Sequence, residues 1–170
     1  MIDPEYMFRD EQPGEQESLV NFASATFRAD SRAELLNRLR PLVRRQFSLI
    51  AEHLGFIIGH ALFVQAFLRQ DQSTFLASGI GTLAVHPNYR RQGIGSRMLD
   101  IGLGRCQDAS VPLVFALTEP AYYLSRGFEF ASKHGYHYHH REFDTLLLVK
   151  EIIPGSLARL SGEVSFIPAP

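Results

Sequence analysis

The feature that most constrains the fold is a run of three strand-type segments joined by very short turns. The segments Phe47–His53, Phe56–Leu68 and Phe75–Val85 are rich in aromatic, β-branched and other apolar residues, a composition typical of strands. Only Leu54-Gly55 and the six residues 69–74, which include the polar stretch Gln70–Ser73, stand between them. Connections this short cannot hold a crossover helix, so the run predicts an antiparallel meander.

Helical patterns flank this run. Apolar residues recur at helical spacing in Glu15–Phe27, and Ser31 precedes Glu34 by three residues, which is the spacing of a capping box. The second helix would continue to about Pro41, which ends or kinks it. A third helix is predicted over residues 93–109. Helices and strands do not alternate regularly, so the pattern favours a mixed α/β (α+β) domain with a mostly antiparallel sheet flanked by helices, and not a doubly wound fold.

The second half of the chain continues in short elements. A fully apolar strand is followed by a short helix, by three further strands and by a tail after Pro154-Gly155. These elements are predicted at Val111–Thr118 (strand), Pro120–Arg126 (helix), Phe128–Phe130, Tyr136–His140 and Thr145–Ile152 (strands).

Composition excludes several classes of protein. The chain has 170 residues, 45% of them hydrophobic and 21% charged, which predicts one globular domain over residues 1–170. A net charge of −1 argues against general binding to nucleic acid or to anionic membranes. The single cysteine, Cys106, excludes an internal disulfide and a cysteine-based zinc cluster. With no signal-peptide pattern and no segment apolar enough for a bilayer, we expect a cytoplasmic protein.

The chemistry is concentrated where the strand ending at Val85 runs through a loop into the third helix. Gly93 and Gly95 stand in the first turn of that helix, where backbone N–H groups lack partners and carry partial positive charge. Glycines there let a bulky anion approach these groups, and Arg90 and Arg91 add positive charge. The segment therefore predicts a site for a phosphate or diphosphate group.

The glycines have three other possible interpretations. They can serve only to permit a tight entry into the helix. A nucleotide triphosphatase loop requires Gly-Lys-Ser/Thr, which the segment lacks. The dinucleotide fingerprint requires a third glycine where this chain has Met98, and it normally lies in the first β-α unit.

Two sequence blocks carry a resemblance to a known family. The segment Arg90-x-x-Gly93-x-Gly95 resembles the Gln/Arg-x-x-Gly-x-Gly/Ala signature of the GNAT superfamily of acyl-CoA-dependent N-acyltransferases. Downstream, Tyr123-x-x-x-Gly127-Phe128 resembles the Tyr-x-x-x-Gly-Phe element after the fifth strand of that family. Both blocks stand in the family's order and element context. The stretch Pro120-Ala121-Tyr122-Tyr123, which precedes the Gly-Phe pair, is similar to that of a bacterial subgroup of predicted N-acetyltransferases.

The resemblance implies the single-domain GNAT fold with a splayed sheet and a site for acetyl-CoA. A V-shaped slot would open between the strand ending at Val85 and the strand ending at Thr118, and a bulge near Gly79 and Gly81 would help to open it. Main-chain groups of Leu83, Ala84 and Val85 would pair with the pantetheine arm, one of their N–H groups would polarise the thioester carbonyl, and the loop amides would hold the diphosphate. The implied cofactor-binding residues are Leu83, Ala84, Val85, Arg90, Arg91, Gln92, Gly93, Ile94, Gly95 and Ser96.

Tyr123 takes the position of the family's general acid, which protonates the departing thiolate. A free thiol has a pKa near ~8.5 and a free phenol near ~10, so the proton transfer is expected to be roughly balanced. The alternative is a tyrosine that only packs in the core, which is also our expectation for Tyr122. One position departs from the family pattern: Ala116 stands where many members carry an asparagine that contacts the cofactor.

The base that deprotonates the acceptor amine is less clearly marked. Glu119, at the end of the fifth strand, is the first candidate, and its alternative role is that of an acid at a helix N-terminus. His86 fits a loop histidine better than a base. Glu52 and His53 are expected to line the acceptor side.

A run of four histidines lies between residues 134 and 140. Its members are His134, His137, His139 and His140. No acidic or cysteine partner stands at a metal-site spacing, and the family needs no metal, so we predict no metal site. The run is expected to form an exposed or slot-lining strand.

The leading functional hypothesis is an acetyl-CoA-dependent N-acetyltransferase. Transfer to a small-molecule or peptide amine would be direct, in a ternary complex, and the sequence leaves the acceptor open. One alternative is a catalytically silent CoA or acyl-CoA sensor on the same scaffold; another is a phosphate binder that does not take CoA. A homodimer would be in keeping with related proteins.

Overall fold

A computed structural model describes residues 1–27 and 40–168, except for the side chain of Arg40. The strands in these ranges are β1 (Met7–Asp10), β2 (Arg45–His53), β3 (Phe56–Gln70), β4 (Ser73–Val85), β5 (Leu113–Ala116), β6 (Glu129–Phe130), β7 (Tyr136–Tyr138), β8 (Leu148–Glu151) and β9 (Gly162–Ser165). The α-helices are α1 (Gln16–Thr26), α2 (Ile94–Asp108), α3 (Pro120–Leu124) and α4 (Ser156–Arg159). Short 3-10 helices lie at Arg40–Leu42, Pro87–Tyr89, Ala131–His134 and Arg141–Leu146.

All nine described strands belong to one sheet, in the order β1-β2-β3-β4-β5-β8-β6. Strand β9 pairs with β3 at Phe67–Arg69, a part of β3 that β2 does not reach, and β7 pairs with β9. The β4–β5 and β7–β9 pairs are parallel, and the other pairs are antiparallel. The predicted meander is confirmed as β2-β3-β4, and the mixed α/β class with a mostly antiparallel sheet is confirmed with it.

The sheet divides beside β4. Strands β4 and β5 are paired only at Ser78–Val114 and Gly79–Phe115, so the second half of β4, from Ile80 to Val85, has no partner on this edge among the described strands. The register between β3 and β4 skips Gly81, which is the bulge expected near this position. The bulge bends β4 where the two strands separate, and a fork opens between them.

The two faces of the sheet are buried by different parts of the chain. Successive residues alternate between the two cores, as strand geometry requires: Phe63 and Val114 pack beneath α2, whereas Leu62 and Phe115 pack beneath the C-terminal segment. The helix contributes Ile94, Met98, Leu99 and Cys106 to its side, all at most 1% exposed.

The C-terminal segment corrects the sequence prediction. We expected a tail after Pro154-Gly155, but α4 and β9 follow, and Phe166 packs its ring on Gly79. A Cβ at Gly79 would lie 2.6 Å from that ring, so glycine permits the close approach. The prediction failed because β9 pairs with β3 about a hundred residues earlier, a contact with no local signal.

Other boundaries differ by a few residues. Strand β7 ends at Tyr138, two residues before the predicted end, and β8 begins at Leu148 because a 3-10 turn occupies Arg141–Leu146. In α1, Leu19 and Phe22 are buried, whereas the apolar Val20 is 61% exposed. The second helix predicted from Ser31 lies outside the described residues.

Candidate active site

The loop after β4 shapes the first turn of α2. Gly93 caps the helix in the left-handed region at φ +85°, a conformation that favours glycine, and Arg91 also has a positive φ of 61°. The first intrahelical bond runs from the N–H of Arg97 to the carbonyl of Gly93. The N–H groups of Ile94, Gly95 and Ser96 therefore have no partner within the helix.

These amides open into a cleft of about 610 Å³. Its wall combines the end of β4, the glycine loop, the start of α2 and helix α3. Of the ten predicted cofactor-binding residues, all but Gln92 line it, and so do both predicted catalytic residues, Tyr123 and Glu119. The side chain of Gln92 instead accepts a hydrogen bond from the hydroxyl of Tyr6. The other lining residues are Thr26, Phe27, Tyr89, Tyr122 and Arg126.

The open edge of β4 presents main-chain groups to this cleft. The N–H of His86 bonds the carbonyl of Ile58, so in this antiparallel pair the N–H and C=O of Ala84 face β3. Those of Leu83 and Val85 face the fork, and Arg90 Nε already donates to the carbonyl of Val85 at 3.1 Å. Of the three residues expected to pair with pantetheine, only Leu83 and Val85 have the right orientation.

Tyr123 lies where β4 and β5 separate. It lines both the cleft and a small cavity of about 30 Å³ that continues between the strands, and it is only 4% exposed. Burial first, and then the nearby Tyr122 and Glu119, raise the pKa of Tyr123 well above its usual value of 10. The proton transfer from phenol to thiolate, expected to be balanced from the free pKa values, is therefore not balanced for the buried Tyr123. Desolvation in the same fork would also raise the pKa of a thiol bound there, which would narrow the difference between the pKa values of the thiol and the phenol.

Glu119 occupies the N-cap position of α3 but does not act as a cap. Its side chain makes no capping hydrogen bond, and its backbone is left-handed at φ 51°, an unusual state for a residue with a Cβ. The residue is exposed and lines both the cleft and the small cavity beside Tyr123. Backbone strain of this kind costs on the order of 1–3 kcal/mol and is concentrated at functional sites.

The other candidate bases lie away from the cleft. His86 is a loop residue, as expected: its Nδ1 accepts a hydrogen bond from the N–H of Asn88. Glu52 pairs with Arg9 at 2.7 Å, and His53 lies between Tyr89 and Glu5. Neither residue lines the cleft, and their place on the acceptor side stays a prediction.

The histidine run does not line the cleft either. His134 faces Glu129 at 3.3 Å. The rings of His139 and His140 lie 3.9 Å apart, and the ring of His139 lies beside that of Tyr138, which also contacts Phe166. The strand in this run comprises only Tyr136–Tyr138, and no residue of the run lines the cleft. Of the two predicted alternatives, the slot-lining strand is therefore wrong; His134, His137 and His139 are half-buried and His140 is exposed. Within residues 1–27 and 40–168, no three His, Cys, Asp or Glu side chains converge as they would around a metal ion.

Sequence reasoning missed two contributions to the site. Thr26 and Phe27, at the end of α1, form part of the cleft wall. The N-terminal residues support the glycine loop from outside the cleft, because Ile2 lies beside Gly93 and the Tyr6 hydroxyl donates to Gln92. These contacts join segments about 60 to 90 residues apart, so no local pattern could reveal them.

In the described part of the chain, no helix is long and apolar enough to cross a membrane.

The same architecture occurs in proteins of known structure. The GNAT family N-acetyltransferase YhbS from Escherichia coli, solved in complex with CoA, matches 98% of this chain and 93% of its own at 24% identity, with a TM-score of 0.84. A GNAT family acetyltransferase from Brucella melitensis, solved in complex with acetyl-CoA, matches 95% of both chains at 22% identity, with a TM-score of 0.72. At these identities the likeness shows the fold.

Sequence comparison gives the family. The uncharacterized N-acetyltransferase YjhQ of Escherichia coli (strain K12) is 33% identical over 86 residues, 51% of this chain. The uncharacterized N-acetyltransferase YhbS of the same strain is 29% identical over 110 residues, 64% of this chain. The chain spans about half of YjhQ (48%) and 65% of YhbS. The family described as "Acetyltransferase (GNAT) domain" matches residues 8–131, most of the chain, so the protein belongs to the GNAT acetyltransferase family, as the two sequence blocks predicted.

Proposed function

We propose that this protein is an acetyl-CoA-dependent N-acetyltransferase that transfers the acetyl group directly to a primary amine in a ternary complex. One observation carries the proposal: a single cleft joins the unpaired edge of β4 to the free amides of α2, with Tyr123 at the fork between them. An extended thioester that ends in a diphosphate fits this combination of groups.

The residues of the cleft suit such a substrate. The amides of Ile94, Gly95 and Ser96 would hold the diphosphate, because helix N-termini favour anions. Three arginines and one carboxylate line the cleft, so its charge is complementary to the phosphates; these residues are Arg90, Arg91, Arg126 and Glu119. The related proteins solved with CoA and acetyl-CoA support this assignment.

The main chain of β4 would orient the reacting group. The outward N–H groups of Leu83 and Val85 can pair with the pantetheine arm as an added strand would. One of them would also donate to the thioester carbonyl and stabilise the oxyanion as the amine attacks.

Proton transfers complete the reaction. Glu119, through water, would accept the proton that the amine loses as the new C–N bond forms. Tyr123 would give its proton to the sulfur as the C–S bond breaks. Its raised pKa keeps the phenol protonated at neutral pH, which is the form that a general acid needs.

Direct transfer is favoured over an acyl-cysteine intermediate. The chain has one cysteine, Cys106, which is 1% exposed on the buried side of α2 and donates a hydrogen bond to Ser78 Oγ at 3.6 Å. Burial raises the pKa of its thiol, which makes it a poorer nucleophile at neutral pH.

The test combines binding with turnover. Purified protein is titrated with acetyl-CoA by calorimetry and then incubated with acetyl-CoA and a panel of amines, and release of free thiol is followed. The panel covers peptides with free N-termini, lysine, polyamines, amino acids and aminoglycosides, with an amine-free reaction as the control. Saturable binding with amine-dependent thiol release supports the proposal.

Two other results would contradict it. Binding without thiol release from any amine would identify a silent CoA sensor, and no binding of acetyl-CoA or CoA would favour a different phosphate ligand. The acceptor, the homodimer and the cytoplasmic location stay predictions from the sequence.

A further inference from the structure

We infer that the hydroxyl of Tyr122 is a second anchor for the cofactor diphosphate, donating to a phosphate oxygen from helix α3, beside the first turn of α2. The inference rests on the proposed function, because it assumes that the cleft binds CoA. It assigns different roles to two adjacent tyrosines, of which Tyr122 was expected from sequence only to pack.

The first observation is an unsatisfied buried hydroxyl. Tyr122 Oη is shielded from solvent and has no hydrogen-bond partner among the described residues. Buried polar atoms without partners are rare, and each costs about 1–3 kcal/mol. A phenylalanine would pack equally well without this cost, so packing alone does not account for the hydroxyl.

The second observation is where this hydroxyl lies. A Cβ built on Gly95 would be 3.6 Å from Tyr122 Oη, so the hydroxyl lies directly over the first turn of α2, beside the free amides. Tyr122 also lines the cleft. A phosphate group bound at those amides would come within reach of the phenol, which is the donor type that an anionic oxygen requires.

The third observation is that the ring is held in place. The guanidinium of Arg126 lies over it, 5.4 Å from the ring centre, and the ring of Tyr123 meets it edge-on at 5.2 Å. Ser125 Oγ donates to the carbonyl of Tyr122 at 2.6 Å, which fixes the backbone. Tyr122 is therefore pre-oriented, and the arginine over it brings further positive charge to the same wall.

The two tyrosines consequently serve different ends of the cleft. Tyr123 also lines the small cavity between β4 and β5, whereas Tyr122 does not and instead lies against Gly95. The hydroxyl of Tyr122 is assigned to binding, and that of Tyr123 to the acyl transfer itself.

The experiment removes the Tyr122 hydroxyl alone. For Tyr122→Phe, we expect the Kd for CoA to rise about tenfold, which corresponds to about 1.4 kcal/mol. Affinity for pantetheine, which has no diphosphate, is expected to stay unchanged in ligand-detected NMR. The Tm of the ligand-free variant is expected to equal or exceed that of the wild type, because an unsatisfied hydroxyl has been removed.

Tyr136→Phe is the matched control. The hydroxyl of Tyr136 donates to the carbonyl of Leu157 at 3.1 Å and lies outside the cleft. Its loss should lower the Tm and leave the Kd for CoA unchanged, the reverse of the result for Tyr122→Phe.

The outcomes separate this inference from the proposed function. If wild-type protein binds CoA and Tyr122→Phe binds it equally well, the diphosphate role of Tyr122 is wrong while the proposed function stands. Loss of pantetheine affinity in the variant would also overturn the role, because it would mean that the wall has been distorted. If wild-type protein does not bind CoA, both fail.

Discussion

The first turn of α2 and its middle differ in what surrounds their glycines. At Gly95 a Cβ would meet only ordinary contacts, 3.5 Å from Val85 and 3.6 Å from Tyr122 Oη, and the space beside it belongs to the cleft. At Gly102 a Cβ would lie 2.2 Å from the ring of Phe63, within the core. The helix thus uses glycine to leave room for a ligand at one end and to pack closely on the sheet in its middle.

This difference predicts a separation of effects. Changes around the cleft should impair binding or turnover and leave the free protein stable. Substitutions at core contacts or ion pairs outside the cleft should lower the free energy of unfolding. The molecules that stay folded should keep their CoA affinity and turnover.

The largest effect is expected on turnover from Tyr123→Phe. We expect kcat to fall about a hundredfold, or about 2.7 kcal/mol in the activation barrier, because the thiolate loses its proton donor. The Kd for CoA should stay unchanged. The raised pKa also means that Tyr123 stays protonated through neutral and mildly alkaline pH, so it should contribute no alkaline limb to the wild-type pH profile there. A fully active variant would exclude Tyr123 as the acid.

Gly102→Ala should have the largest effect on stability. The added methyl must displace the buried ring of Phe63, which costs about 1–3 kcal/mol and should lower the Tm by several degrees. Gly104→Ala is the control on the same helix: nothing lies within 4 Å of its Cβ position, and we expect a gain of up to about 1 kcal/mol. Equal melting temperatures for the two variants would contradict the close contact at Gly102.

Gly95→Leu tests the other end of the helix. The larger side chain should fill the space over the first-turn amides and raise the Kd for acetyl-CoA about tenfold or more, equivalent to at least about 1.4 kcal/mol. Gly104→Leu, on an open part of the same helix, should leave that Kd unchanged. If both variants bind acetyl-CoA as the wild type does, the diphosphate is held elsewhere.

The smallest effect concerns an ion-pair cluster outside the cleft. Arg9 contacts Glu15 at 2.6 Å and Glu52 at 2.7 Å, and its hydrogen bond lowers the pKa of Glu15 from 4.5 to about 2. A lowered folded-state pKa means that this contribution to stability is fully present above pH 4.5 and is lost as the pH falls through about 2.

Glu15→Gln should therefore lower the free energy of unfolding at pH 7 by about 1 kcal/mol or less, since such pairs are partly screened by solvent. Its stability should also fall less steeply than that of the wild type between pH 4.5 and pH 2, as measured by urea unfolding across that range. Affinity for CoA should not change. A change in affinity would contradict the separation between the cleft and the rest of the molecule.

The local patterns of the sequence determined most of the fold and the position of the site. Short turns between apolar segments required the β2-β3-β4 meander, because adjacent strands with such connections must pair antiparallel. The place of Tyr123 in the candidate site followed from the resemblance of its block to the GNAT family, whereas local geometry alone showed that the glycines after Val85 leave free amides at a helix N-terminus. These features depend on neighbours within a few residues, so they could be predicted without a structure.

Only the tertiary structure decided which groups meet across the chain. It turned Gln92 toward Tyr6, held Glu52 with Arg9, paired β9 with β3, and brought the hydroxyl of Tyr122 over Gly95. It also raised the pKa of Tyr123, because desolvation depends on everything packed around the ring. Such contacts join residues far apart in sequence, and burial is a property of the whole assembly of elements, so neither leaves a local signal in the sequence.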